Sequence, residues 1–443
     1  MKPGELNMHV MESLGEFAAL SNPVKLRPGL RQSCRTLLAD LMAAAAAGVQ
    51  SDLADAAWQS AQGCYGPGGV SVWFRSRQSS VVGAAMANSA AASALDLDDG
   101  HRGAAGHPGA GVIPAALAMA QVTGAGDDEV FNAILVGYDV ALRIATARPF
   151  ATIDTWASGR WVGYGVAAAA ARLLRLDAAR TAHALAIAGA EGPVGIRSGT
   201  SKYQGSSVKE QIPAAVVAGI TGAYRAAAGT TGPLDLLDDP ARYNPETLLH
   251  ELAGKWWLED CYLKPYACCR YMHAAIDAIE ALRDPRLPII GLEIQTFPRG
   301  LGLSNEKAPR TLEGAQYSYY FSCAVAAIHG SAALLPCRPE LLQDPAVLDL
   351  ARRIVLRAHP DFADAFPRGT PCRVLLDQGK GMQTLTVDFP LGDVSNPMQY
   401  EQVLTKFRRL TAGNFDAARQ QAVIDALDAV ASAGFQPLLR ALV

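Results

Sequence analysis

Between Val82 and Leu95 the chain is mostly alanine, with valine, methionine, serine and a single Gly83 and Asn88. A helix with small residues on most faces has no broad polar face for water, so neighbours must pack closely around it. This texture extends over the first 280 residues, which are rich in alanine and helical in period. Leu37, Leu38, Leu41 and Met42 repeat at three and four within a helix predicted from Leu30 to Ala47, which Gly48 can cap. Asp127 and Asp128 open a helix of about twenty residues ending near Ala147. Further helices are predicted from Trp161 to Leu176, from Asp177 through His183 to Ala190, and from close to Pro213 to Ala228.

The period changes after about residue 285. Pro288 to Thr296 reads as a strand, and Pro371 to Asp377 with Met382 to Phe389 reads as a hairpin around Gln378, Gly379, Lys380 and Gly381. Helices are expected from Tyr319 to Gly330 and from Pro345 to Leu356, and again beyond Asn396, including Asp416 to Ala433. The fold class is therefore mainly α with a smaller α+β domain. An all-helical domain is placed at 1–270, rejoined by C-terminal helices at 396–443, with the α+β domain at 271–395.

Composition excludes several functions. Of 443 residues, 50% are hydrophobic and 18% charged, which fits neither a disordered chain nor a fibre. Lys plus Arg number 39 against 42 Asp plus Glu, a balance that asks for no nucleic acid and no anionic membrane. Eight cysteines include no CxxC pair, and no stretch of eighteen apolar residues occurs. The N-terminal Met1-Lys2-Pro3-Gly4-Glu5 leads into no apolar signal segment. The expectation is a cytoplasmic protein with reduced thiols, a small-molecule partner, no membrane and no metal.

Four segments carry chemistry. In the first, Asp96, Asp98, Asp99 and His101 precede His107-Pro108-Gly109, between a buried helix and another expected near Pro114. Its acids could fix imidazole tautomers, share protons or bind a divalent ion, or form a solvated acidic turn. In the second, Trp156-Ala157-Ser158-Gly159-Arg160-Trp161 places Arg160 at the mouth of an apolar helix. That arginine suits a substrate carboxylate or a stacked surface position. The third, Arg197 to Glu210, is a polar loop whose candidate cations are Lys202 and Lys209. The fourth, Lys264-Pro265-Tyr266-Ala267-Cys268-Cys269-Arg270-Tyr271-Met272-His273, sits where the domains meet and offers positive charge and a proton-transfer group.

The order of these phrases resembles the MmgE/PrpD family over roughly residues 30 to 400. The resemblance rests on Asp96-Leu97-Asp98-Asp99 with His107-Pro108, and on Gly137-Tyr138-Asp139-Val140. It rests also on Ser158-Gly159, Thr231-Gly232-Pro233, Lys264-Pro265-Tyr266 through Cys269-Arg270 and His273, and Ala315-Gln316-Tyr317-Ser318. It implies a large helical domain with a smaller α+β domain, a homodimer, and a site between the domains. The implied chemistry moves a proton next to a carboxylate on a small di- or tricarboxylate, without a cofactor. By similarity Asp98, His107, Lys264 and His273 occupy family active-site positions; Lys209 best fits an expected basic position, with Lys202 as the alternative. Tyr317 lies near the position from which the smaller domain reaches the pocket. The chain departs from the family at Trp156, where many members carry a histidine, at Arg160, and at Gly100, where threonine is frequent.

The expectation is thus a dehydratase-type lyase. Catalytic candidates are Asp98, His107, Lys209, Lys264 and His273; substrate-binding candidates are His101, Trp156, Arg160, Lys202, Arg270 and Tyr317. A neutral His107 or a lysine of depressed pKa would remove the α-proton, Arg270 and Lys264 would hold carboxylates, and His273 or Asp98 would handle the leaving oxygen's proton. An epimerase or isomerase, a decarboxylase, or a noncatalytic binding protein on the same scaffold are the alternatives.

Overall fold

The computed structural model describes residues 8–194 and 208–443. The protein is mainly helical with a smaller α+β part. Its first half is a stack of helices at Leu30–Gly48, Val81–Ser93, Gly109–Thr123, Asp127–Thr146, Gly159–Leu173, Ala178–Glu191 and Ile212–Ala227. Val81–Ser93 is buried from Gly83 onward, as its all-round small side chains require. Among the described residues no single helix is long and apolar enough to cross a membrane.

Close approach in this stack depends on missing side chains. Where Asp127–Thr146 crosses Gly159–Leu173, a Cβ on Gly165 would lie 2.2 Å from the Gly137 carbonyl oxygen, and one on Gly137 would lie 2.9 Å from that of Gly165. Gly137 belongs to the Gly-Tyr-Asp-Val phrase, whose other members also serve packing. Asp139 accepts from Arg143 Nε at 2.5 Å, and Arg143 caps the His250 carbonyl at 2.5 Å.

The helix after the first chemical segment starts at Gly109, five residues before the proline expected to open it, and carries Pro114 inside. Its apolar burial from Gly109 to Ala120 outweighs the hydrogen bond that Pro114 cannot donate. The consequence is functional: His107 stands immediately before the helix rather than mid-loop.

The smaller part is a four-stranded sheet. Gly291–Thr296 runs parallel to Val355–Ala358 and antiparallel to Cys372–Asp377, which pairs in turn with Met382–Val387. The hairpin thus forms where the alternating pattern placed it. The helix expected from Pro345 to Leu356 stops at Arg353, and Val355–Ala358 is a strand. The β-branched Ile354 is buried at that turn, while Val355 begins the strand on its exposed side. Buried and half-buried residues alternate along Gly291–Thr296 and Cys372–Asp377, and the helix His273–Leu282 packs against the sheet.

The helix Tyr400–Thr411 returns to the helical stack and lies against Leu30–Gly48. Lys406 is its fixing point, donating to Asp40 and to the Leu97 carbonyl, each at 2.7 Å, with both charged side chains buried. The C-terminal helices therefore brace the backbone beside Asp96 and Asp98.

Replacing Gly165 with alanine should force the two crossing helices apart and cost about 1–3 kcal/mol. Urea unfolding would show the lowered midpoint, and an unchanged midpoint would contradict the close crossing.

Candidate active site

Four distant stretches of chain meet at one place. Gly100–His101 pairs antiparallel with Cys261–Tyr262, which carries the first chemical segment to the start of the fourth. A Cβ on Gly100 would lie 2.4 Å from the Tyr262 hydroxyl, so no larger side chain could stand there with Tyr262 in place. The Cys269 amide donates to the Gln316 carbonyl at 2.8 Å, which fixes Tyr317 beside the fourth segment. Gly159 lets the second segment lie against the third: a Cβ there would fall 2.6 Å from the Gln211 carbonyl oxygen.

Asp96 is the junction. Its Oδ1 accepts from Lys209 Nζ at 2.9 Å and its Oδ2 from Lys264 Nζ at 2.5 Å, with all three side chains almost completely buried. Burial alone would raise this carboxyl, but Lys209, Lys264 and His107 together hold it well below the usual carboxylate range. Lys209 is raised: burial opposes its charge, and Asp96, Glu313 and Glu210 outweigh that cost. It is thus held as a cation, where the sequence left open a lysine of depressed pKa. The backbone bends sharply to achieve this. Asp96 has φ 54°, and Lys209, Glu210 and Gln211 follow one another at 48°, 54° and 60°. Left-handed non-glycine residues are costly and persist only where surrounding contacts enforce them.

His107 lies beside this junction. Its Nδ1 is 2.8 Å from the Asp99 carbonyl oxygen, which can only accept, so Nδ1 carries the proton. Nε2 faces Asp96 Oδ1 at 3.5 Å, and Asp98 lies 3.4 Å from Nδ1. Burial opposes the imidazolium, yet Asp98, Glu210 and Asp96 raise His107 above its ordinary value. Its backbone is anchored too. The His107 amide donates to Ser158 Oγ at 2.9 Å, and Ser158 Oγ donates to Glu210 Oε2 at 2.6 Å. Tyr317 accepts from Lys209 at 3.3 Å and donates to Glu210 Oε1 at 3.4 Å.

A cavity of about 310 Å³ opens over this cluster. Asp96, His107, Glu210, Tyr317, Arg270 and Trp156 line it, as do Arg102, Tyr262, Cys269, Tyr271, Arg299 and Phe366. Of the sequence candidates, His107, Trp156, Arg270 and Tyr317 therefore face one space. Lys209 and Lys264 stand behind Asp96, outside the lining. Asp98 is fully buried behind His107, and burial raises its carboxyl.

His273 is also outside the lining. Its Nε2 donates to the Cys268 carbonyl at 3.1 Å and its Nδ1 accepts from Arg270 at 3.2 Å. Burial, Arg270 and Lys264 keep it neutral, so it orients Arg270. His101 accepts from the Ala104 amide at 3.1 Å and packs on Trp257; burial lowers it to about 4. Arg160 lines a separate cavity of about 330 Å³ with Arg148 and Arg242. Lys202 lies outside the described residues. Cys269 reaches the cavity, but burial pushes its thiol up to about 12, which argues against a thiolate nucleophile.

Asp96, Glu210 and Arg299 were not among the site candidates. Asp96 was legible only as one of three acids in a row of five residues, and Glu210 as a neighbour of Lys209; nothing local marks Arg299. Asp96, Asp98 and His107 also offer atoms within 4.8 Å of one another that could ligate a metal. Lys209 and Lys264 already supply Asp96 with the positive charge such an ion would bring.

The family description of the MmgE/PrpD N-terminal domain matches residues 12–245, and that of the MmgE/PrpD C-terminal domain matches residues 266–430. The chain belongs to the MmgE/PrpD family. Among its relatives is the cis-aconitate decarboxylase of Aspergillus terreus, 28% identical over 388 residues, covering 78% of this chain and 77% of the relative. The cis-aconitate decarboxylase-like protein oryM of Aspergillus oryzae is 25% identical over 380 residues, covering 77% of each. The interval between the two MmgE/PrpD matches, from residue 245 to 266, contains Lys264 and leads into Cys269, Arg270 and Tyr271 of the cavity lining.

Behind His107, burial and the charges of Asp98 and Asp40 push Asp99 up to about 8. Between its ordinary 3.8 and that value, folded Asp99 keeps a proton that the unfolded chain has released. Its contribution to stability should therefore fall as pH rises from about 4 to about 8. Thermal melts across this range should show Asp99→Asn with a flatter profile than the parent and a relative gain near pH 8. Parallel profiles would contradict the raised carboxyl.

Proposed function

We propose that this protein is a lyase acting on a small carboxylate, with His107 as the group that transfers a proton at a carbon next to a carboxylate. The observation that carries this reading is the His107 imidazole itself. It is fixed in one tautomer by a backbone carbonyl, raised in pKa by flanking acids, and presented to a cavity whose other polar groups include arginines and a tyrosine hydroxyl. Arg270 would hold a carboxylate. The Tyr317 hydroxyl, kept protonated mainly by burial and by the charges of Asp96 and Glu210, would donate to the oxygen that gains charge. Lys209 and Lys264 would act through Asp96, fixing its position and setting the positive field behind His107.

The names of the relatives favour loss of carbon dioxide over loss of water. In that step the bond to the departing carboxylate breaks, and its electron pair enters the conjugated acid that remains. Carbon dioxide leaves, the His107 proton passes from Nε2 to carbon, and solvent restores it. A charged His107 is the competent form for this role. Loss of water would instead need a base, for which Glu210 is the ionisable group on the cavity wall nearest Tyr317. Its carboxylate would take the α-proton while His107 protonates the departing oxygen.

Proton NMR in deuterated buffer, with cis-aconitate and hydroxy di- and tricarboxylates, tests the reading. The parent should give deuterium at a carbon next to a carboxylate, and His107→Gln should lower the rate roughly 10²- to 10⁴-fold. The rate should fall as pH rises through the raised His107 value, because the proton donor is lost. A rate that climbs there instead would make neutral His107 the base. Binding without exchange in the parent would point to a noncatalytic pocket, and an unimpaired His107→Gln would remove His107 from the chemistry.

A further inference from the structure

The cavity holds a cation that the chemistry above does not use. Arg102 and Arg270 flank Asp393, at 3.4 and 3.5 Å, and Arg270 also donates to the Leu391 carbonyl at 2.9 Å and to that of Pro390 at 3.2 Å. Arg102 is thus held by a protein acid, and Arg270, whose Nε makes no hydrogen bond among the described residues, is the cation assigned above to the first carboxylate. Arg299 differs. Its guanidinium lies over the Trp156 ring, 3.7 Å from the centroid, and 5.1 Å from that of Phe366. Its Nε donates to the Tyr271 hydroxyl at 2.9 Å. Among the described residues no carboxylate pairs with it, and its two terminal amino groups make no hydrogen bond.

The aromatic surround is itself fixed. Phe366 stacks on Phe297 with ring planes 5° apart, and Trp156 packs against Phe150 with centroids 5.0 Å apart. A guanidinium stacked on the Trp156 ring, with Phe366 to its side, loses little freedom on binding and has already given up water from the stacked face. Its remaining edge presents two parallel N–H groups, the geometry that a carboxylate accepts in bidentate fashion.

We infer that Arg299 is a specificity-determining residue that receives a second carboxylate, at the end of the substrate remote from His107. The inference rests on the lyase reading of the same cavity and adds to it the residue that sets which way round the acid lies. Within that reading the acid's reacting carbon lies at His107. Its unreactive carboxylate sits on Arg299, and the carbons nearest that carboxylate lie against Trp156 and Phe366. Lysine at position 299 would keep the charge but lose both the fork and the stacking plane.

The test is titration calorimetry with glutarate and its monoamide, which share a length but differ by one carboxylate. The parent should prefer glutarate. Arg299→Ala should weaken glutarate roughly 10- to 100-fold and bring the ratio of the two affinities close to one, while Arg299→Lys should recover only part of the ratio. A merely structural role would weaken both ligands alike and leave the ratio intact; that result overturns the inference. So does a parent that binds no glutarate, or an Arg299→Ala protein with unchanged preference. The lyase reading fails separately: a parent that shows the Arg299-dependent preference but exchanges no substrate proton would keep the clamp and lose the chemistry.

Discussion

Asp96 holds one carboxylate between two ammonium groups, and the site is arranged around that contact. Lys209 and Lys264 come from segments 113 and 168 residues further along the chain. Neither could be buried as a charge without the acid between them, and Asp96 could not stay ionised there without them. The triad therefore fixes where three segments meet. It also leaves a net positive charge behind His107, while the charges of Asp98 and Glu210 raise the imidazole's pKa against the opposing cost of burial. The left-handed residues at 96 and 209–211 are the backbone's share of this arrangement.

Such a meeting point requires very close packing. Gly100 makes room for the Tyr262 hydroxyl, Gly159 for the carbonyls of Glu210 and Gln211, and Gly109 for the Asp99 carboxyl. The alanine-rich helices beneath serve the same end on a larger scale, bringing backbones near enough for side chains from separate helices to share one buried volume. The C-terminal helix takes part through Lys406, which pairs with Asp40 and caps the Leu97 carbonyl between Asp96 and Asp98.

The cavity has two characters. Around His107 it is polar and crowded with ionisable groups whose charges nearly balance. Around Arg299 it is aromatic, with one cation lacking a protein acid. Under the proposed reading, this asymmetry would orient a substrate, with a reacting end among proton-transfer groups and a recognition end on flat rings. Trp156 belongs to the second region, and the imidazole at His107 to the first.

Much of the fold could be read directly from the chain. Periods of three and four with N-caps such as Asp177 and Asp416 located the long helices, and alternation located the hairpin, because these patterns record local burial. The phrases bearing His107, Lys264, Arg270 and Tyr317 marked segments that do converge. What the chain could not reveal is which side of each backbone faces the cavity. Asp96 rather than Asp98 bridges the lysines because of a left-handed turn at Asp96. His273 turns inward to hold Arg270, and Arg160 opens onto a different cavity. Arg299 gained its place only when the sheet-bearing part folded against Trp156. Residue type and order follow from local chemistry, but the direction of a side chain and the partners of a buried charge depend on segments hundreds of residues apart, and tertiary packing alone decides them.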